Sequence, residues 1–279
     1  MIVKKNVSSI EQYLKQRRVN LRKKIAFIPT MGALHEGHLS LIKLAKDKGR
    51  YVIVSIYVNP SQFAPNEDFS KYPRTLKSDL EKLKKISVDL VFTPVTKDIS
   101  EYTHQKYSFK TFGLEKKLCG KFRPNHYLGV SEIVLKFLSI INPDFAYFGE
   151  KDYQQYIFIE RIVKQTILKT KIIMGKTIRD KDGLALSSRN KYLSENEKNI
   201  AKYIYKYLKQ SRLLIKKGQL ISTVLKKQED DMLKLGFSKI EYLEVKDSNL
   251  RKSNLPHNKS RIFIAAKINN IRLIDNILI

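Results

Sequence analysis

The chain has 279 residues, 42% of them hydrophobic, and carries 54 Lys and Arg against 27 Asp and Glu, a formal charge of +27. That hydrophobic content excludes a disordered chain, and no apolar run reaches the roughly 18 residues of a membrane span. A single cysteine, Cys119, excludes an intrachain disulfide and a cysteine zinc cluster.

The excess charge is mostly Lys and is spread over nearly every helical face, with no dense stripe. This is the pattern of a solvated surface, so no specific nucleic-acid partner and no membrane partner is expected. Residues 1–6 are basic but lack the apolar core and cleavage site of a signal peptide, and a cytoplasmic setting is expected. Cys119, among polar and basic neighbours, reads as a bystander thiol.

In chain order, residues 8–18 form a leading helix, with Ser8 or Ser9 as cap and Glu11 or Gln12 completing a capping box. A strand begins at Ile25, breaks at Pro29 and turns at Gly32, and a helix then runs from the two histidines to Lys48-Gly49. Strand, tight turn and helix in that order aim backbone N–H groups and the positive end of a helix dipole at one point, which suits a phosphate. His35 and His38 are three apart and share a helical face. Gly37 between them allows a close approach to the backbone.

Residues 51–58 are a β-branched and aromatic run, the signature of a strand buried on both faces of a parallel sheet. A long polar loop follows at 59–68, at the carboxyl end of that strand, where open α/β sheets bind ligands. A charged helix at 74–86 and a strand at 88–94 come next. Residues 95–128 read as irregular, with an unusually polar and basic stretch at 120–127. A helix at 129–141, a strand at 145–148, a helix at 153–166 and a strand at 171–175 complete the sheet.

From 176 the pattern changes to a polar hinge, two Lys-rich helices at 194–217 and 219–235, and strands at 239–245, 261–268 and 271–275. The expected fold is α/β. A Rossmann-like parallel-sheet domain at 1–175 precedes a smaller α+β C-terminal domain at 176–279.

The His-x-x-His pair admits three readings: structural, metal-binding, or a phosphate clamp. Metal binding is weakened because His104, His126 and His257 are distant in sequence. Imidazoles at a helix N-terminus, neutral or protonated, can donate to phosphate oxygens and to charge developing during phosphoryl transfer. Ser187-Ser188-Arg189 alone could be no more than a helix cap. After Asp182-Gly183-Leu184-Ala185-Leu186 it resembles the mobile basic loop that closes over the triphosphate in the HIGH/KMSKS nucleotidyltransferases, where hydroxyls and a bidentate guanidinium suit phosphate.

Five motifs in order carry a more specific resemblance: 29–38 (PTMGALHEGH), 58–63 (VNPSQF), 72–75 (YPRT), 148–155 (FGEKDYQQ) and 182–190 (DGLALSSRN), with 272–276 (RLIDN) near the end. Together they resemble the pantothenate synthetase family, the pantoate–β-alanine ligases. The resemblance implies a two-step amide synthesis in which the (R)-pantoate carboxylate attacks the α-phosphate of ATP and β-alanine then attacks the pantoyl-adenylate. It implies an ATP site along Met31, Gly32, Ala33, Leu34, His35, Glu36, Gly37 and His38, with Gly149, Glu150, Lys151 and Asp152, then Ile178, and then Leu186, Ser187, Ser188 and Arg189. His38, as proton donor, and His35, Lys151 and Arg189 would carry the catalysis. Gln62 and Gln155 would bind pantoate, Gln62 also bordering the β-alanine site, and neutral amides suit substrate hydroxyls. Mg²⁺ would accompany the triphosphate, with Asp79 as the protein contact. A homodimer is also implied, as is a lid role for the domain at 176–279, which begins with the Ser-Ser-Arg phosphate loop.

The family's usual Arg-Pro-Gly-His-Phe-Arg-Gly-Val reads here Arg123-Pro124-Asn125-His126-Tyr127-Leu128-Gly129-Val130. Asn125 tolerates positive φ, whereas Leu128 removes a cation expected at the site's rim. Two other readings stand beside this one. A nucleotidyltransferase acting on a phosphorylated acceptor would favour cations at the positions of Gln62 and Gln155. A basic RNA-binding protein that has lost catalysis would fit the charge, but every catalytic-type residue is present.

Overall fold

Strands and helices alternate through residues 1–175 in the computed structural model, which describes residues 1–20, 22–64, 67–102, 107–253 and 259–279. In order they are β1 (Ile2–Lys4), α1 (Val7–Asn20), β2 (Ile25–Thr30), α2 (Glu36–Lys46), β3 (Tyr51–Ile56), α3 (Leu76–Lys85), β4 (Leu90–Phe92), α4 (Thr96–Glu101), α5 (Cys119–Phe122), α6 (His126–Ile141), β5 (Phe145–Gly149), α7 (Tyr153–Val163) and β6 (Lys171–Gly175). The six strands form one parallel sheet in the order β1-β4-β3-β2-β5-β6.

The alternation of side chains along each strand explains the layers. On β2, Ile25 and Phe27 pack with α1, α6 and α7, whereas Ala26 and Ile28 pack with α2 and α3. Both faces are covered, so the inner strands read as unbroken apolar runs. The chain winds from β2 through β3 to β4 on one side and then returns to add β5 and β6 on the other. The carboxyl ends of the adjacent strands β2 and β5 therefore mark the switch point, where a crevice opens.

The C-terminal part contains α8 (Glu195–Ala201), α9 (Tyr203–Lys216), α10 (Ile221–Leu235) and an antiparallel sheet of β7 (Lys239–Lys246), β8 (Arg261–Ile268) and β9 (Ile271–Leu278), in that order. This sheet is buried on both faces. Ile262, Ile264 and Ala266 of β8 pack under α8, α9 and α10. Phe263 and Ala265, with Tyr242 of β7, join the core of the larger sheet.

Several boundaries differ from the sequence reading. Strand β1 was not expected, because three half-exposed residues at an edge carry no periodic signal. The leading helix is capped by Asn6, whose Oδ1 accepts from Ser9 N at 2.8 Å, not by Ser8 or Ser9. The expected helix 194–217 is two helices separated by Lys202, whose N–H reaches both the Lys198 and Ile200 carbonyls and tightens the turn. The stretch read as irregular contains α4 and α5, and α6 starts three residues before 129. Among the described residues no helix is long and apolar enough to cross a membrane.

Candidate active site

The turn after β2 is built from two successive left-handed residues, Gly32 (φ +78°) and Ala33 (φ +50°). The second is unusual for a residue with a Cβ and costs about 1–2 kcal/mol. Asp79 of α3 offsets that cost. Its carboxylate is fully buried and accepts from Ala33 N (2.9 Å), Leu34 N (2.8 Å) and the Thr75 hydroxyl (3.1 Å). Lys82 donates to the Leu34 carbonyl at 2.7 Å. Asp79, expected to touch Mg²⁺, thus holds the turn from behind, and its oxygens are occupied by protein donors. Gly32, Ala33 and Leu34 are correspondingly buried in the turn.

His35 is the N-cap of α2, and its Nδ1 accepts from Gly37 N at 3.1 Å. His38 Nδ1 lies 3.4 Å from His35 N, a reciprocal cap. A backbone N–H can only donate, so both Nδ1 atoms are acceptors and both neutral rings carry their proton on Nε2. Burial, then the neighbouring His38 and Lys151, lowers the His35 pKa to about 3. Burial, then Lys151 and Lys82, lowers that of His38 to about 4. The pair is neutral near pH 7, which decides between the neutral and protonated forms that the sequence left open. Gly37 does allow a close approach, but of His35 itself: a Cβ at Gly37 would lie 2.8 Å from the imidazole Cε1. Glu36 points outward and is exposed.

The histidines open onto a cavity of about 230 Å³ at the switch point. Met31, Gly149, Lys151 and Asp152 line it from the ends of β2 and β5, and Gln62 and Gln155 line it from the 3-10 turn at 60–62 and from α7. Ile178, Leu186, Ser187, Ser188 and Arg189 close it from the C-terminal side. Glu150 is not on the wall. Its carboxylate turns to Arg261 (2.5 Å) and Thr177 N (3.2 Å), while its backbone carbonyl accepts from Asn276 Nδ2, as does that of Lys151. This ties the turn after β5 to β8 and β9. Gln154, next to Gln155, faces inward instead and holds Cys119 N and the Leu114 and Lys117 carbonyls.

Ser187 caps the short 3-10 turn Ser188–Tyr192, and the Ser188 hydroxyl donates to the Ala33 carbonyl at 3.2 Å. The Ser-Ser-Arg loop is therefore both a cap and a wall of the cavity. Arg189 is paired through Nε and Nη2 with Asp68 at 2.9 and 2.8 Å, which holds the Asp68 carboxyl below its usual range. The segment before this loop is anchored by Arg179, which grips the buried Asp275 with two bonds (2.5 and 2.9 Å) and stacks on Tyr205.

The sequence reading did not single out Tyr72, Arg123, His126, Lys176 or Thr177 as site residues, yet all line the same cavity. Arg123 and His126 sit in the basic stretch at 120–127, whose composition was the available signal. A second cavity, about 890 Å³, adjoins the first across Arg123, Lys151, Asp152, Ser187 and Arg189. Asn125 adopts φ +64°, so the turn before α6 is kept; Leu128 is exposed and lines neither cavity. Cys119 is buried, its Sγ 3.0 Å from Tyr242 Oη and 3.4 Å from Arg272 Nη2, where α5 meets β7 and β9. Among the described residues no group of three or more His, Cys, Asp or Glu is placed to hold a metal ion. His104 and His257 lie outside the described residues.

The comparisons with known proteins agree along the whole chain. The Pantoate-beta-alanine ligase family profile matches residues 2–278. The pantothenate synthetase of Thermodesulfovibrio yellowstonii is 45% identical over 261 residues, 92% of each chain, and that of Caldicellulosiruptor bescii is 40% identical, covering 100% of this chain and 99% of its own. Among solved structures, pantothenate synthetase from Thermus thermophilus superposes with a TM-score of 0.91 at 32% identity, covering 100% of this chain and 99% of that one. The ligase from Francisella tularensis, complexed with beta-gamma ATP and beta-alanine, gives 0.83 at 39% identity, covering 100% and 97%. With its turn, its paired imidazoles, its two glutamines and its Ser-Ser-Arg loop on one cavity, the chain belongs to the pantoate–β-alanine ligase family.

Proposed function

We propose that the chain condenses (R)-pantoate with β-alanine at this cavity, consuming ATP and releasing pantothenate, AMP and pyrophosphate. The observation that carries the reading is the polarity of the cavity wall. The two neutral imidazoles, the Ser187–Arg189 loop and the uncharged Gln62 and Gln155 all line one cavity.

In the first step a pantoate carboxylate oxygen bonds to the α-phosphorus of ATP, and the bond to the bridging oxygen breaks, releasing pyrophosphate. The Nε2–H groups of His35 and His38, with Lys151, offset charge on the transferring phosphoryl oxygens. A neutral imidazole suits this work because it donates without first losing or gaining a proton. Ser187 and Arg189 address the outer phosphates, the guanidinium retaining Nη1 while Asp68 holds its other edge, and Ser188, whose hydroxyl donates to the Ala33 carbonyl, holds the loop against the turn. Gln62 and Gln155 orient the pantoate hydroxyls. In the second step the neutral amine of β-alanine attacks the acyl carbon, the bond from that carbon to the oxygen bridging it to phosphorus breaks, AMP leaves with that oxygen, and the amine gives up one proton to solvent as the amide forms.

Among the described residues no cluster forms a protein cage for Mg²⁺, and the Asp79 oxygens already accept three protein donors. A Mg²⁺ ion arriving with ATP would be held by phosphate oxygens and water. The same proposal includes residues 176–279 as a lid, a homodimer, which the motif resemblance supports, and a cytoplasmic setting, which the composition of residues 1–6 supports.

The test is substrate omission. Purified protein with ATP, pantoate and β-alanine should release AMP and pyrophosphate. AMP release that does not depend on pantoate would refute the assignment.

A further inference from the structure

Gln62 ends a one-turn 3-10 helix, Pro60–Gln62, that has little core of its own, yet its side chain must be placed accurately if it is to orient a substrate hydroxyl. Three contacts fix the turn to the first turns of α6. The Gly129 backbone passes so near that a Cβ there would lie 2.2 Å from the Ser61 carbonyl oxygen. Asn59 donates through Nδ2 to the Gly129 carbonyl at 3.1 Å. His126 Nδ1 lies 2.7 Å from the Gln62 carbonyl oxygen.

The third contact belongs to a longer chain. A carbonyl only accepts, so the His126 proton is on Nδ1, and Nε2 accepts from Arg123 Nη1 at 2.9 Å. Arg123 in turn is clasped by Glu67, through Nε and Nη2, both at 2.6 Å, and its Nη2 also lies 3.4 Å from the Gln62 carbonyl. Burial, then Arg123, lowers the His126 pKa to about 4, so the neutral ring needed for this tautomer is the form present at pH 7. Four of the five Arg123 N–H groups are occupied within the protein, and Glu67 balances its charge. Although Arg123 and His126 line the cavity, they are therefore committed to protein partners rather than open to an anion.

We propose that His126, fixed in its Nδ1–H tautomer by the Glu67–Arg123 pair, is a positioning residue that sets Gln62 and thereby the affinity for pantoate. This rests on the reading of Gln62 as a pantoate-binding residue, and a Gln62→Ala control separates the two claims.

The experiment measures KM for pantoate and for ATP, with kcat, in His126→Asn, His126→Gln, His126→Ala and Glu67→Gln. The Asn amide nitrogen occupies the place of Nδ1, whereas the Gln amide nitrogen reaches only the place of Nε2. His126→Ala and His126→Gln should raise the pantoate KM at least tenfold with the ATP KM within twofold of the parent, and His126→Asn should restore most of the loss. Glu67→Gln, which leaves the packing intact, should raise the pantoate KM severalfold. A role in packing alone would raise both KM values together or treat Asn and Gln alike, and either result overturns the proposal. A pantoate KM unmoved in His126→Ala also overturns it: if Gln62→Ala is still impaired, the positioning claim has failed by itself, and if Gln62→Ala is also normal, the reading of Gln62 has failed with it. Should His126→Ala not fold, the contrast between Asn and Gln decides.

Discussion

The imidazoles of His35 and His38 lie 4.0 Å apart, centroid to centroid, with their planes tilted by 36°. Each Nδ1 accepts a backbone N–H of the same helix cap, which leaves both Nε2–H groups for the cavity. Replacing His38 should show which nitrogen matters. His38→Ala should lose about 10²–10³ in kcat, the usual effect of removing one donor to a developing charge. His38→Gln, whose amide nitrogen sits at the ε position, should keep more activity than His38→Asn. Equal activities for these two would contradict the tautomer described above.

The neutral histidines also predict a pH dependence of stability. His35, His38 and His126 have native pKa values of about 3, 4 and 4, below the ordinary 6.5. Below pH 6.5 the unfolded chain therefore binds protons that the native chain does not, so stability is full above that pH and falls as pH drops toward 4. Between about pH 6.5 and 5 the carboxylates are largely ionised in both states, which makes this window diagnostic for histidine. Urea midpoints should decline steadily across it; a flat profile would mean that these rings protonate in the native state.

Asp79 gives a third test. As the acceptor for Ala33 N and Leu34 N it should contribute through hydrogen bonds to a charged group, each worth about 1.5–3 kcal/mol. Asp79→Asn keeps one acceptor but turns an amide donor toward the other of those two N–H groups, and should lower stability by about 2–4 kcal/mol. The Mg²⁺ concentration for half-maximal activity should stay where it is. A large shift in that midpoint at unchanged stability would restore Asp79 as a metal ligand.

Asp275 gives a fourth. It is buried and gripped twice by Arg179, and removing one partner of such a pair leaves a buried charge without its counterion. Arg179→Ala should cost about 3–5 kcal/mol, read from chemical denaturation. A loss below about 1 kcal/mol, the worth of an exposed pair, would show that water or another cation reaches Asp275.

What the sequence revealed follows the range of the interactions involved. The inner strands β2, β3, β4 and β5 were legible because both-face burial makes each an apolar run, whereas β1, three residues at an edge, has no such signature. The cavity walls were legible wherever the chemistry lies in a local motif: the histidine pair, Gly149 to Asp152, and Ser187 to Arg189. Side-chain direction was not. Glu150 and Lys151 are neighbours in one motif, yet Glu150 turns to Arg261, 111 positions away, and only Lys151 faces the cavity. Likewise, nothing near Gln62 in sequence announces Arg123 or His126, because both reach it from more than sixty residues away. Asp79 shows the same limit: its type suits a cation, but the donors that satisfy it come from the turn after β2.

Glu67 and Asp68 clasp two arginines that belong to distant stretches of chain, Arg123 before α6 and Arg189 in the Ser-Ser-Arg loop. Two adjacent carboxylates thus act as a ruler one residue long. Slipping this segment by a single position would present Asp68 to one guanidinium or Glu67 to the other, but never satisfy both with the right side-chain length. The dipeptide is therefore a gauge for the spacing between the two halves of the cleft. Exchanging its members, Glu67→Asp with Asp68→Glu, keeps every charge yet should misalign both walls at once.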